Sequence, residues 1–289
     1  GIGNTFLGKT AGELVSSGNY NIGVGYDAVG GRATTGSHNI GLGYYACDKV
    51  TSGGNNIALG ENCMLGGTDM TGNGNIAMGE TAAVNIVSGD HNIMVGYQAG
   101  NALTTANKNV ILGYQAGKAI TTATNNVYIG NVAGKNATTT ANNIGIGEYA
   151  LGIASVTGDF NVGIGPSAGG SITSGTQNTC IGGYAGRVGA TVVLSTGSNN
   201  TILGYYAVPS SGSVSNEVTL GNSSVDNLRC ADTSISALSD LRDKTNIVDI
   251  PLGLSFLNTV RPVSFDWNTR DGSRVGKKDF GFIAQELLA

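Results

Sequence analysis

Histidine, proline and charge are scarce in this chain, and each scarcity closes a class of function. Of 289 residues only 2 are histidine, 4 proline and 4 cysteine, and charged residues make up 12%. The cysteines, Cys47, Cys63, Cys180 and Cys230, form no C-x-x-C pair. Their spacing fits neither a zinc site nor a disulfide framework, so buried free thiols are expected, with no metal and no cofactor. His38 and His91 each precede an asparagine of the repeat described below, which places both in one structural column rather than in a metal cluster. With 15 basic against 19 acidic residues there is no excess for a nucleic-acid surface, which needs a basic patch. No apolar run reaches the ~18 residues of a membrane span, so no membrane insertion is expected. Nothing resembles a signal peptide, although the chain begins at Gly1 rather than Met.

What is abundant is glycine, at 48 residues and without a Gly-X-Y period, which excludes collagen. The glycines belong to an internal repeat: Asn, a β-branched residue, any residue, an apolar residue, Gly, two more residues, then Ala or another small residue. Matches start at Asn4, Asn21, Asn39, Asn56, Asn75, Asn92, Asn109, Asn126, Asn143, Asn161, Asn178 and Asn200, and a degenerate one at Glu217. Eight of the twelve steps are seventeen residues and the others are longer, so the extra residues should be loops on one side. Ile22 and Val24 lie two apart and point to one face of a strand. Helical spacing is absent. Seventeen residues at ~3.3 Å suit one coil built from two or three short strands and tight turns.

The expectation is an all-β shaft over residues 1–222, a trimeric β-helix or β-solenoid of about 13 coils, in which each coil buries the apolar side of the next. The asparagines should bond one another up the stack. Gly25, Gly43 and Gly60 should supply positive φ or close backbone approach. Ala28, Ala46, Ala99 and Ala116 ask for a small group, in a crowded interior or a chain-to-chain contact. After the repeat glycine come Tyr26, Tyr44, Tyr97, Tyr114 and Tyr205. Such a row can bind a glycan or simply stack on itself, and stacking is the plainer expectation. Glu61, Glu80 and Glu148 share that column, but nothing singles out the converging carboxylate pair a glycosidase needs. The repeat resembles the heads of trimeric autotransporter adhesins of the YadA type and looks like phage tail-fibre shafts. That resemblance implies a homotrimer in which each chain covers its neighbours' apolar sides.

The character of the chain changes after the last coil. Residues 231–289 carry 15 of the 34 charges. Residues 223–238 read as a polar linker and 239–289 as a small α+β module. Pro251 can open a helix over Leu252–Val260, ended by Arg261-Pro262. Val263, Phe265 and Trp267 alternate as a strand, Asp271-Gly272 marks a turn, and Phe280–Ile283 can return as a second strand before a helix from Ala284.

Ser239-Asp240-x-Arg242-x-Lys244, Ile247, Pro251-Leu252, Leu257, Arg261-Pro262-Val263, Phe265-Asp266-Trp267 and Gly281-Phe282-Ile283-Ala284-Gln285-Glu286 resemble, in order, the endosialidase-type intramolecular chaperone. This is a C-terminal auto-protease of phage tailspikes and tail fibres. The resemblance implies a self-cleaving serine peptidase with a Ser-Lys dyad falling on Ser239 and Lys244, a cut between Leu238 and Ser239, and a chaperone that helps three chains assemble before releasing itself. Asp240 and Arg242 are expected as supporting structural partners. It does not imply sialidase activity. Residue chemistry alone leaves another reading open: Ser239-Asp240 is also a good helix start, with Lys244 merely solvated. Family members usually continue into further helices, so the end at Ala289 reads as a truncation.

The expectation for the whole is a virion tail fibre or spike, or another extracellular surface protein. Its partners would be a host-surface receptor, glycan among the candidates, and other virion tail proteins. The alternatives are a bacterial-type trimeric adhesin or filament whose tail is a non-cleaving plug, and a membrane-tethered transcription factor, for which no DNA-binding domain or membrane helix is visible.

Overall fold

The computed structural model describes residues 1–188, 192–229, 262–266 and 276–281. The chain divides into two compact units, Gly1–Asn227 and Leu228–Ala289. No helix occurs among the described residues.

The first unit is a parallel β-solenoid. Each repeat contributes one three-residue strand, and 13 of these stack in chain order into one sheet. The first is β1 (Thr5–Leu7), then β2 (Ile22–Val24), β3 (Ile40–Leu42) and β4 (Ile57–Leu59). The run continues through β5 (Ile76–Met78), β6 (Ile93–Val95), β7 (Val110–Leu112) and β8 (Val127–Ile129). It closes with β9 (Ile144–Ile146), β10 (Val162–Ile164), β11 (Thr179–Ile181), β14 (Thr201–Leu203) and β15 (Val218–Leu220). Register follows the repeat, as in Ile22↔Ile40 and Leu112↔Ile129. The 13 rows at ~4.8 Å give a rod about 60 Å long.

The expectation of two or three strands per coil is corrected to one. Elsewhere coils meet through single bridges such as Val15↔Thr34 and Thr124↔Ala141, and through turn-to-turn hydrogen bonds. The reason is backbone hand. Besides the repeat glycine, three columns of the coil are left-handed: one runs through Asp27, Tyr45, Gln98 and Val132 (φ 49° to 54°), one through Val29, Cys47, Met64 and Ala83 (φ 46° to 55°), and one through Tyr20, His38, Asn55 and His91 (φ 55° to 62°). A strand cannot run through such residues. Left-handed backbone is costly for tyrosine or valine, and it holds here because each is bonded to the coil before, as when Val132 N–H donates to the Tyr114 carbonyl at 2.8 Å.

The middle residue of each strand points inward and the two flanking residues point out. Met94, Ile111, Tyr128 and Ile202 are fully buried, while Ile22, Met78, Ile93 and Ile181 are exposed. The core is therefore closed inside one chain, and the face carrying Ile22 and Val24 is the outer one. The repeat alanines Ala28, Ala46, Ala99 and Ala116 lie in this core. Large and small residues alternate along it: the Tyr128 ring occupies the space that a side chain at Gly134 or Gly145 would need.

Two columns explain why the repeat is so strict. Asn21 to Asn200 form a buried amide ladder. Asn56 Nδ2 donates to Asn39 Oδ1 (3.1 Å) and to the Gly72 carbonyl (2.8 Å), and its own Oδ1 accepts Asn75 N–H (2.9 Å). Every buried amide thereby finds partners. Gly25, Gly43 and Gly60 follow their strands at φ 132° to 141°, and a Cβ on Gly43 would lie 2.4 Å from the Gly60 carbonyl oxygen. Positive φ and close approach are both required.

At the thirteenth coil the ladder stops. Glu217 N–H still donates to Asn200 Oδ1 (2.9 Å), but its carboxylate turns away to accept from the Ser210 N–H and hydroxyl. Those donors, the Ser210 hydroxyl first, pull its pKa below the usual carboxylate range. The longest repeat step, from Asn178 to Asn200, is taken up by a hairpin of β12 (Arg187–Val188) and β13 (Val192–Val193).

The second unit contains an antiparallel pair, β16 (Val263–Asp266) with β17 (Lys278–Gly281), in which Ser264 opposes Phe280. The sequence placed the return strand two residues later. The expected helices at Leu252–Val260 and from Ala284 lie outside the described residues, as does Trp267.

Candidate functional site

Residues named from the sequence fall into two groups. Leu238, Ser239, Asp240, Arg242 and Lys244 lie outside the described residues, and so does Cys230. The tyrosines are all on the shaft. Tyr26 stacks on Tyr44 (centroids 5.2 Å, 19°) and Tyr97 on Tyr114 (5.4 Å, 16°), as one-coil spacing dictates. Tyr205 meets Tyr184 and Tyr206 edge-on instead. The five do not make one continuous row: Glu61 and Glu80 interrupt it, then Asn131, Glu148, Pro166 and Gly183. Glu148 sits in that column as expected, accepting from Asn131 Nδ2 of the coil before at 3.2 Å.

A second aromatic column, one residue further on, escaped the sequence reading. It holds Tyr45, Tyr149, Tyr184 and Tyr206, all with left-handed backbone. Tyr184 stacks on Tyr206 at 4.7 Å and 10°. Tyr45 meets Tyr44 edge-on at 4.3 Å, and their hydroxyl contact pushes the Tyr45 pKa up to about 12. The double tyrosines Tyr44-Tyr45 and Tyr205-Tyr206 were the available signal, since adjacent turn residues must point apart. Between the columns, a cleft of about 360 Å3 is lined by Glu148, Tyr149, Ile153, Pro166, Ser167, Tyr184 and Arg187.

The thiols are structural. Cys47, Cys63 and Cys180 are free and buried. Burial pushes Cys63 and Cys180 up to about 12 and Cys47 higher, so none supplies thiolate near neutrality. His38 stacks on Tyr20 at 5.3 Å. Among the described residues no three His, Cys, Asp or Glu side chains could share a metal ion. Also among them, no helix is long and apolar enough to cross a membrane.

Residues 239–289 match a peptidase family described as the chaperone of endosialidase. The matched segment begins at Ser239. No curated protein and no solved structure matches the chain.

Proposed function

We propose that the chain is the shaft of a homotrimeric phage tail fibre or spike that attaches to a host surface, and that its C-terminal module is an intramolecular chaperone that cuts itself free. The carrying observation is the order of parts: a repetitive β-solenoid followed directly by a segment matching the endosialidase chaperone family. The outer sheet face supports the trimer. It runs unbroken along 13 rows as a double lane of Ile, Val, Leu and Met, varied only by threonines at Thr5, Thr179 and Thr201. An exposed apolar band of this length is unusual on a monomer.

The cleavage chemistry follows from Ser239 and Lys244. A serine hydroxyl is a weak nucleophile and needs a base. The second unit holds no histidine, and a lysine kept neutral by partial burial can serve. Ser239 Oγ attacks the Leu238 carbonyl carbon as Lys244 takes the hydroxyl proton. The C–N bond then breaks, the proton passes to the departing Ser239 amine, and Leu238 is left as an ester on Oγ. Water opens the ester and Ser239 becomes a new N-terminus. Proximity within one chain supplies much of the acceleration.

Intact-mass analysis of the full gene product tests this beside Ser239→Ala and Lys244→Ala. A break between Leu238 and Ser239 in wild type alone is expected. An uncut wild type would instead favour a passive trimeric adhesin with a C-terminal plug.

A further inference from the structure

From the left-handed aromatic column we infer a saccharide-binding slot on the shaft, between Tyr149 and Tyr184. It deepens the attachment part of the proposed function and rests on that reading for its setting. The column runs Tyr149, Ser167, Tyr184, Tyr206 in successive coils. Tyr149 N–H donates to Asn131 O at 3.0 Å, Ser167 N–H to Glu148 O at 2.7 Å and Tyr184 N–H to Pro166 O at 2.8 Å. All three share one backbone conformation, with φ 56°, 57° and 59°. Where two tyrosines are consecutive, as in Tyr184 and Tyr206, their rings stack and leave no room. Where Ser167 stands between two, the flanking tyrosines are two coils apart, about 9.6 Å at ~4.8 Å per coil.

That gap matches two stacking contacts of about 4.5–5 Å each. One six-membered ring fits between the tyrosines with Ser167 as floor. The rims decide the chemistry. Glu148, Pro166, Ile153 and Arg187 complete the lining. Glu148 gives one oxygen to Asn131 and keeps acceptor capacity for hydroxyls. Among the described residues the Arg187 guanidinium forms no ion pair, which leaves its donors for the ligand. Two tyrosine faces, with an acceptor and a donor among the lining residues, suit a pyranose with vicinal hydroxyls. The carboxylate on the rim favours a neutral sugar over an acidic one.

Ser167→Tyr is the discriminating variant. Tyrosine already adopts this φ at neighbouring positions, so the change fills the floor of the slot by completing the stack while keeping Tyr149, Tyr184, Glu148 and Arg187. Saturation-transfer NMR would be run on the full-length protein with methyl pyranosides of glucose, galactose, mannose and rhamnose, with indole alongside. The expected result is transfer to ring C–H protons of at least one pyranoside, reduced at least tenfold by Ser167→Tyr at unchanged melting temperature. No pyranoside signal in wild type, an equal signal in Ser167→Tyr, or a signal from indole alone would overturn the proposal. Should Ser167→Tyr fail to fold, Tyr184→Leu gives the same reading. The masses of the same samples separate the two proposals: a cleaved protein without signal sinks only the slot, and an uncut one with signal sinks only the self-cleavage.

Discussion

Asn109 Nδ2 lies 2.9 Å from Asn92 Oδ1 and 2.9 Å from the Ala123 carbonyl, and its own Oδ1 receives both the N–H and the Nδ2 of Asn126 at 3.0 and 3.1 Å. One side chain thus joins three coils. Asn109→Ala would strip partners from all of them inside a dry core, and a loss of about 1–3 kcal/mol is expected. Asn125→Gly, one residue away on the surface, keeps the left-handed φ of 57° without strain and should cost far less. Thermal melting of the two variants in parallel checks the ladder; equal losses would show that it contributes nothing special.

Gly43→Ala should be more damaging than its single methyl suggests. At φ 141° and 2.4 Å from a carbonyl, the new Cβ meets both a forbidden backbone and a fixed atom. A loss of about 3 kcal/mol or more is expected. Limited proteolysis should find new cuts within the neighbouring coils, and a variant as resistant as wild type would contradict the geometry.

The inward and outward sides of the strands make separable predictions. Val95→Lys with Leu112→Lys changes the outer face and should leave the coil folded while breaking the trimer. Met94→Lys places a charge in the closed core and should prevent folding. Sedimentation reads the first and circular dichroism the second. Trimers that survive the outer lysines would move the interface to another face.

Thiol reactivity follows from burial. In a Cys230→Ser background, Cys47, Cys63 and Cys180 should resist a disulfide reagent at pH 8 until the chain unfolds. Their pKa values are raised in the folded state, so the stability they contribute is fully present below the unfolded thiol value of ~8.5 and is lost as pH rises toward about 12. Melting temperature should therefore fall between pH 9 and 12, and a Cys180→Ala variant should fall less steeply. An equal slope in both would remove the thiol from the explanation.

Release of the chaperone should change rates more than equilibrium. Once cut, three chains with many non-local contacts have no route back to their starting register. The cleaved trimer should unfold at least tenfold more slowly in detergent than Ser239→Ala. Equal unfolding rates would remove the reason for cutting.

Much of the shaft was legible in the sequence because its constraints repeat. The ladder asparagines, the glycine after each strand and the core alanines each recur at fixed spacing, while the thiols, which share no column, were readable only from their lack of paired partners. Parity was not legible. In Ile93-Met94-Val95 and Val110-Ile111-Leu112 all three residues are apolar, so pattern alone cannot say which faces in. The left-handed columns were signalled only in part: Asn55, Gly74, Asn125 and Asn142 favour that conformation, whereas Tyr20 and Val132 ordinarily avoid it and are held there by the coil before. The second aromatic column was hidden for the same reason. At the C-terminus the strand pair at Val263 and Phe280 was readable from alternation, whereas Ser239 and Lys244 are joined only by resemblance and chemistry.

The backbone bonds between coils, such as Ile40 N–H to the Asn56 carbonyl at 2.8 Å, run along the rod rather than across it. An end-to-end pull therefore loads these bonds along their own direction, and a chain held by one terminus gives them up coil by coil from that end. The end coils, rather than the long middle of the stack, decide how the rod resists tension.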